Sequence, residues 1–462
     1  MVLTDNFLVR IPRAFKIWKV ALLGAAVFHV LVAIAVLGIG RAELMPQQFD
    51  HRGLAQFAND GQLYIQEAEE LAGRLSTGDI AGWVSRPGQL HVKLFSLSLL
   101  LFRPLFGLNI LALEPLNLVY YLTVLILVFR LSFLLFGQPR IALLTAVTVG
   151  LWPTLLLHSI QLLRDPLFNI AMLGLVLVLS SFVKMEIRWT TSFLLAVAGA
   201  LTAGAVWLIR YASWPVVCAA VGLSMVSLFV KVIATKKFLR SNVVGLALLA
   251  ASVSLISVMQ LPPQFTTGPP QYHPRIMAPT KTLWGRISEM RNASIADNQA
   301  SRSLIDASVT FSSMADELKY LPRAAEIGFF APFPNLWLKS GLATGRVGRV
   351  LAGGEMLGTW LLYLGVFLEF LTALRARPFH RHLDLGLTFL TATIGIVSLG
   401  MVVTSVGILY RLRFAFWLLL ATIGIRGLFR AFSWISGVLK PKRQTAHQLF
   451  RGGMDRLSTM HS

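Results

Sequence analysis

Long apolar runs separated by short polar segments dominate this chain, and most of these runs are about 20 residues long. Eleven runs occur, at residues 17–39, 90–113, 116–136, 140–158, 166–183, 191–209, 213–230, 241–261, 350–373, 384–407 and 410–430. About 20 apolar residues in a helix cross a hydrocarbon core of ~30 Å, and a helix satisfies its own backbone hydrogen bonds there. The pattern therefore predicts an all-α, polytopic transmembrane helical bundle.

The run at 90–113 is interrupted by polar and helix-breaking residues. It carries His91 and Lys93 near its start and the pair Arg103-Pro104 near its end. Proline removes a helical hydrogen bond, and an arginine is costly in lipid. We expect this run to form a juxtamembrane helix or re-entrant segment at the outer interface, which leaves about ten spans.

Composition and charge support a membrane protein and argue against other classes. The 462 residues are 55% hydrophobic and 14% charged, whereas soluble domains carry about 25% charged residues. The net charge of +21 would favour a nucleic-acid partner in a soluble chain. Here the basic residues gather between apolar runs, as expected beside anionic lipid, so membrane lipid is the expected partner. The single cysteine, Cys218, excludes a disulfide within the chain.

The positions of the basic residues predict the orientation of the chain. Both ends are basic, with Arg10, Arg13, Lys16 and Lys19 near the start and Lys440, Lys442, Arg443, Arg451 and Arg456 near the end. The positive-inside rule places both termini in the cytoplasm, which requires an even number of spans. We expect a multi-pass protein of a bacterial inner membrane, with the first span retained as a signal anchor.

The same reasoning divides the chain into segments. These are a cytoplasmic N-terminus (1–16), a transmembrane module (17–261) containing an outer loop (40–115), an extracytoplasmic cap loop (262–349), C-terminal spans (350–432) and a basic cytoplasmic tail (433–462). The cap loop opens with six prolines between Pro262 and Pro279. A helical pattern then extends from about Asp297 to Tyr320, and Leu321-Pro322-Arg323 and Pro332-Phe333-Pro334 close it.

Two acidic residues fall at the predicted outer ends of spans. Asp60 opens a helix in the first outer loop, where either Asn59 or Asp60 is the N-cap, and Asp165 lies between Arg164 and Pro166. Both carboxylates have a structural interpretation as helix caps. Their functional interpretation is that two carboxylates from different segments share a substrate at the outer interface.

These motifs resemble a known class of membrane enzymes. Asp60, Tyr64, Ala68, Leu71 and Gly73, followed by Arg86-Pro87-Gly88, an apolar interfacial run and Arg164-Asp165-Pro166-Leu167, look like the N-terminal half of GT-C type membrane glycosyltransferases. That class includes the protein mannosyltransferases and the lipid A aminoarabinose transferases. The resemblance covers roughly residues 17 to 230. The chain departs from the protein mannosyltransferases in having Asp60-Gly61 where an Asp-Glu pair is usual and in lacking a large C-terminal outer domain.

The resemblance implies transfer of a sugar from a polyprenyl-phosphate carrier to an extracytoplasmic acceptor. Asp60 would be the catalytic base, and Asp165 would be a second catalytic carboxylate that helps to place the donor phosphate or a metal. No soluble nucleotide is needed, no particular cofactor is indicated, and a divalent metal ion is left open. The donor phosphate needs cations at the lipid boundary. The candidate phosphate-binding residues at outer span ends are Arg164, Arg210 with its neighbour Tyr211, Arg411 and Arg413. Each of the last four has an alternative interpretation as an interfacial anchor.

Two other functional classes stay open on the sequence. An outer-leaflet polysaccharide polymerase or ligase uses related lipid donors but does not require Asp60 together with Asp165. A lipid-linked glycan transporter usually carries its charges near the midplane of the spans. In this chain the polar residues crowd at the outer span ends, and Glu355 and Glu369 are the main intramembrane acids.

Overall fold

The computed structural model describes residues 12–57, 60–259, 283–299, 303–341, 345–376 and 378–439. Within these ranges the chain forms 17 α-helices and no β-strand, which confirms the all-α fold. The helices are α1 (Pro12–Arg41), α2 (Asp60–Ser76), α3 (Ile80–Ser85), α4 (Leu90–Phe106), α5 (Ile110–Phe136), α6 (Pro139–Gly150), α7 (Pro153–Ser159), α8 (Asp165–Lys184), α9 (Trp189–Ile209), α10 (Trp214–Thr235), α11 (Arg240–Val258), α12 (Leu283–Asp297), α13 (Met314–Phe330), α14 (Gly345–Arg375), α15 (Leu383–Val402), α16 (Val406–Leu412) and α17 (Phe414–Leu439).

Among the described residues, nine helices are long and apolar enough to cross a membrane, and a bent helix pair makes a tenth span if it counts as one. The nine are α1, α5, α8, α9, α10, α11, α14, α15 and α17, and the bent pair is α6 with α7. The chain is therefore a multi-pass integral membrane protein with about ten spans, as predicted. Helix α4 has 17 residues and is not one of these candidates.

The run predicted as one span at 140–158 is broken in the structure. Helices α6 and α7 meet at an angle of 61°. The cause is Trp152-Pro153, because proline lacks an amide hydrogen and forces the preceding residue out of the helical region; Trp152 has φ −73° and ψ 122°.

The last two runs also end differently from the prediction. The runs expected at 384–407 and 410–430 are separated by an additional short helix, because α15 ends at Val402 and α17 begins at Phe414. Helix α16 fills the interval, and its C-terminal end carries Tyr410 and Arg411.

Helix α8 is the centre of the bundle. In its apolar stretch of 18 residues, about 78% of the residues are buried, the largest fraction of any candidate span in the described residues. It packs against α5, α9, α10, α15 and α17. Helices α14 and α17 approach closely because small residues face each other: a Cβ added to Gly427 would lie 1.9 Å from the carbonyl oxygen of Gly365. Such contacts allow backbones to pack tightly in membranes.

The helical pattern expected from Asp297 to Tyr320 is wrong in its boundaries. Helix α12 ends at Asp297, and α13 begins only after Ser313, whose side chain forms a capping box with Asp316. Asp306, in the connecting segment, has φ 50°, a left-handed conformation that a helix does not accept. Helix α13 then continues through Pro322, where the sequence predicted a stop.

The described part of the cap lies against the end of α15. Leu304 and Ser405 form an isolated antiparallel bridge. Arg291 is almost fully buried and donates to the carbonyl oxygens of Val309, Asp306 and Met401. Several sequence predictions lie outside the described residues: the proline segment 262–279, Asn59, Arg10 and the basic residues of the tail from Lys440 onward.

Candidate functional site

Asp60 is the first residue of α2, a helix that packs on α4 at the end of the bundle where α8 begins. Tyr64, Ala68 and Leu71 follow on the same helical face and are buried against the neighbouring apolar residues. This spacing of three to four residues orients the helix and leaves the Asp60 side chain 40% exposed. Asp60 therefore lies at the rim of the bundle, where solvent reaches it.

Asp165 is the first residue of α8, directly before Pro166, and it is buried. Its Oδ1 atom accepts a hydrogen bond from Arg210 Nη2 at 2.8 Å. Its Oδ2 atom lies 3.4 Å from Arg411 Nε. A buried carboxylate is stable only when it is paired, and two arginines from distant parts of the chain supply this pairing.

Arg411 joins the two carboxylates. Its Nη2 atom donates to Asp60 Oδ2 at 2.6 Å, while its Nε atom faces Asp165. The structure thus brings Asp60 and Asp165 to the same guanidinium, with a hydrogen bond to Asp60 and an ion-pair contact to Asp165. Burial alone would lower the pKa of Arg411, but the carboxylates of Asp165 and Asp60 hold this pKa above its usual value.

Two further arginines belong to the same cluster. Arg210 directly follows the last residue of α9, is buried, and places its guanidinium 4.4 Å from the centre of the Phe168 ring. Burial lowers the pKa of Arg210 to about 10, although Asp165 opposes the shift, so the side chain is a cation at neutral pH. Arg164 precedes Asp165, and its buried Nε atom has no hydrogen-bond partner among the described residues.

The remaining two candidates differ in position. Tyr211 begins the 3₁₀ turn Tyr211–Ser213 and packs edge-on against Trp207. Arg413 does not turn toward the carboxylates: its Nη1 atom donates to the carbonyl oxygens of Gly328 and Phe329 at 3.0 and 3.2 Å. The prediction that Arg413 shares the pocket with Asp60 and Asp165 is therefore wrong, and Arg413 instead closes the C-terminal end of α13.

A pocket opens beside the Asp165–Arg411 pair. It is small and is lined by Thr154, Leu155, His158, Ser159, Asp165, Pro166, Asn169, Arg411 and Phe414. The break between α6 and α7 creates this pocket, because α7 turns its last residues toward α8. Non-helical backbone at membrane depth is tolerated where protein covers it.

Glu355 on α14 supports the pocket, although the sequence indicated it only as an intramembrane acid. Its Oε1 atom accepts from the backbone N–H of Thr154 at 2.6 Å, and its Oε2 atom accepts from the hydroxyls of Thr154 and Tyr410. The carboxylate thereby satisfies an amide at the start of α7 and holds the residue next to Arg411. The sequence did not indicate the partner of Glu355, because Thr154 lies 201 positions away from Glu355 in the chain.

His91 on α4 lies beneath the same end of the bundle. It is fully buried, its ring lies edge-on to Tyr64 at 4.5 Å, and neither ring nitrogen has a hydrogen-bond partner in the described part of the chain. Burial, with Arg164 nearby, lowers the pKa of His91 to about 3. His91 is therefore neutral at physiological pH.

The described residues do not provide a ligand set for a divalent metal ion. Among them, no group of three or more histidine, cysteine, aspartate or glutamate side chains is arranged to hold an ion. Asp60 and Asp165 are instead bound to arginines. These contacts make an arginine-rich site suited to an anion.

Comparison with known proteins adds no relative. No protein-family model matches the chain, no curated protein matches it, and no solved structure matches it.

Proposed function

We propose that this protein is an integral-membrane glycosyltransferase that moves a sugar from a polyprenyl-phosphate carrier to an extracytoplasmic glycan, lipid or protein. The observation that carries the proposal is the guanidinium of Arg411 between the carboxylates of Asp60 and Asp165. The resemblance of the N-terminal half to GT-C enzymes supports the same function.

The charges of the cluster favour a phosphate ligand. Arg164, Arg210 and Arg411 supply three cations, whereas Asp60 and Asp165 supply two anions, so the cluster keeps one positive charge. A planar guanidinium binds phosphate oxygens with two parallel hydrogen bonds. Because the cluster lies at the ends of apolar helices, a carrier can leave its polyprenyl tail in lipid while its phosphate reaches the arginines.

The mechanism follows from competition for Arg411. An arriving donor phosphate replaces the Asp60 carboxylate on Arg411, and this exchange frees Asp60 to accept a proton. Asp60 then takes the proton of the acceptor hydroxyl as its oxygen attacks the anomeric carbon. The bond between that carbon and the phosphate oxygen breaks, its electron pair stays on the phosphate, and Arg210 and Arg411 stabilise the charge that develops.

The orientation of the bundle is part of the proposal. The opposite end from the cluster holds the Lys184–Asp384 pair and the contacts of Glu369 with Arg426 and Arg430. With the basic end in the cytoplasm, the Asp60–Arg411–Asp165 cluster faces the extracytoplasmic side. In a bacterium this corresponds to the inner membrane, with both termini inside.

Binding of the carrier gives the first test. Undecaprenyl phosphate is added to the full chain in nanodiscs, with undecaprenol, which lacks the phosphate, as the matched lipid. We expect Arg411→Gln and Arg210→Gln each to weaken binding of the phosphate about 10- to 150-fold, equivalent to about 1.5–3 kcal/mol for a hydrogen bond to a charged group. Arg103→Gln, which alters an exposed arginine paired with Glu69, is the control. Equal binding of both lipids would refute a phosphate site.

Transfer gives the second test. Asp60→Asn keeps the shape and capping ability of the side chain but removes its basicity, so we expect transfer to fall on the order of 10² to 10⁴-fold. Cells carrying this variant should accumulate the unused polyprenyl-phosphate sugar, which mass spectrometry of lipid extracts identifies. Asp79→Asn, at the exposed cap of α3, is the control. Normal transfer by Asp60→Asn, at equal protein level, would leave Asp60 as a helix-start residue only.

If the carrier binds but Asp60→Asn leaves transfer intact, a polymerase or ligase that works without this carboxylate becomes the better assignment. Movement of the lipid-linked sugar across vesicles of purified protein, with no transfer, would favour a transporter.

A further inference from the structure

Three buried polar side chains form a continuous chain that ends at the pocket. His29 on α1 is fully buried; its Nδ1 atom lies 2.7 Å from Glu114 Oε1, and its Nε2 atom lies 2.8 Å from Ser159 Oγ. Glu114 is near the start of α5, and Ser159 ends α7 and lines the pocket beside Asp165. The reaction proposed above uses neither His29 nor Glu114.

The hydrogen-bond geometry limits where the protons are. Glu114 Oε2 is buried and has no hydrogen-bond partner among the described residues. An ionised carboxylate would leave that oxygen charged and unpaired inside a span, which is costly. The state of lower free energy has a protonated Glu114 that donates a hydrogen bond to His29 Nδ1. His29 Nε2–H then donates to Ser159 Oγ, and the Ser159 hydroxyl donates to the carbonyl oxygen of Leu156 at 3.2 Å.

We propose that Glu114, His29 and Ser159 form a proton store that delivers a proton to the leaving phosphate in the pocket. This inference rests on the proposed function for the identity of the proton acceptor. The stacking of His29 on Tyr121, with ring centres 4.4 Å apart, fixes the imidazole in the plane that both bonds require.

Delivery consists of three proton transfers. As the bond between the anomeric carbon and the phosphate oxygen breaks, the Ser159 hydroxyl turns away from the carbonyl oxygen of Leu156 and gives its proton to that phosphate oxygen. Ser159 Oγ takes the proton from His29 Nε2, and His29 Nδ1 takes the proton from Glu114. The chain ends with an ionised Glu114, a neutral His29 protonated on Nδ1, and Ser159 donating to Nε2. Asp60 accepts the proton of the incoming hydroxyl at the opposite side, so the site holds an acid and a base.

The test reads the proton on His29 directly. The full chain is labelled with ¹⁵N on its histidine rings and placed in nanodiscs, and the His29 signal among nine histidines is assigned by its loss in His29→Gln. Nitrogen shifts distinguish the two neutral tautomers from imidazolium. We expect a neutral ring with its proton on Nε2. A ring protonated on Nδ1 alone, or on both nitrogens, would overturn the store.

A second measurement does not depend on a folded His29 variant. Difference infrared spectra of the unsubstituted chain and Glu114→Gln, which has the same shape, should show one protonated carboxyl stretch that belongs to Glu114. Absence of that band also overturns the store.

The delivery step has its own test. Undecaprenyl phosphate is the product of the proposed transfer, so its binding should move the His29 proton from Nε2 to Nδ1, whereas undecaprenol should not. If undecaprenyl phosphate binds and the tautomer does not change, delivery to phosphate is refuted. If this lipid does not bind at all, the proposed function fails, and the resting tautomer alone decides whether the store exists.

Kinetics complete the comparison. We expect Glu114→Gln and Ser159→Ala to lower the rate of transfer on the order of 10² to 10⁴-fold, with binding of undecaprenyl phosphate unchanged. Ser132→Ala is the control: it removes a buried hydroxyl on α5 that is not part of the chain of three, and it should keep the full rate. A loss of binding in step with the loss of rate would show a packing role and would refute proton delivery.

Discussion

Arg291 attaches the described part of the cap to the end of α15, and replacing it by methionine tests this attachment. The guanidinium donates to the carbonyl oxygens of Val309 and Met401 at 2.9 Å each and of Asp306 at 2.7 Å. It also lies 4.8 Å from the centre of the Tyr320 ring. Arg291→Met keeps the apolar stem and removes every one of these polar contacts.

The size of the effect follows from these bonds. A hydrogen bond from a charged donor contributes about 1.5–3 kcal/mol, so three would sum to about 5–9 kcal/mol. The variant also no longer buries a cation, which offsets part of that loss, so we expect a net loss of about 3–5 kcal/mol. At about 1.4 kcal/mol per tenfold change, local opening of the cap should become roughly 10² to 10⁴ times more frequent.

Hydrogen exchange with mass spectrometry measures this opening. Peptides from residues 303–341 of Arg291→Met should exchange faster by that factor, while peptides from α8 keep their protection. Lys319→Met is the matched control, because it removes a cation from the exposed face of α13. Equal protection of the cap in both variants would refute the attachment, as would a loss of protection spread over all spans.

Three other predictions concern the surroundings of the site. Burial lowers the pKa of His91 from 6.5 to about 3, so below about pH 6.5 the unfolded chain binds a proton at His91 that the folded chain does not bind. The melting temperature should therefore fall between about pH 7 and pH 5, and His91→Phe should reduce that fall. An equal fall in both proteins would contradict this prediction. Gly427→Ala should destabilise the contact of α14 with α17 by about 1–3 kcal/mol, seen as earlier thermal unfolding, while Gly386→Ala, with nothing within 4 Å of its added Cβ, should have no such effect. Under the proposed function, Glu355→Gln should weaken binding of undecaprenyl phosphate, because it loosens Tyr410 beside Arg411. Unaltered binding would show that this carboxylate only holds the start of α7.

The spans could be predicted because about 20 consecutive apolar residues have one stable arrangement in lipid. The break in the span at 140–158 could also have been predicted from Trp152-Pro153, but the run is mostly apolar and was therefore interpreted as one span. The error on Arg413 could have been avoided: residues two apart on a helical turn do not face the same side, so Arg411 and Arg413 could not both reach Asp60.

Other features could not be read from the chain. The contacts of Glu114 with His29 and of Glu355 with Thr154 join segments 85 and 201 residues apart. Each carboxyl finds its partner only through the packing of several helices, and local patterns carry no information about that packing. The resemblance indicated Asp60 and Asp165, but it did not indicate that one arginine would hold both.

The separation of Asp60 and Arg411, 351 residues along the chain, has a consequence for biosynthesis. When the ribosome has delivered α1 to α11 to the membrane, both carboxylates and Arg210 are already in place, but the guanidinium that contacts both carboxylates has not yet been made. It arrives later, with α16. A nascent chain, or one truncated before α16, can therefore insert these helices while the Asp60–Arg411–Asp165 cluster is still incomplete.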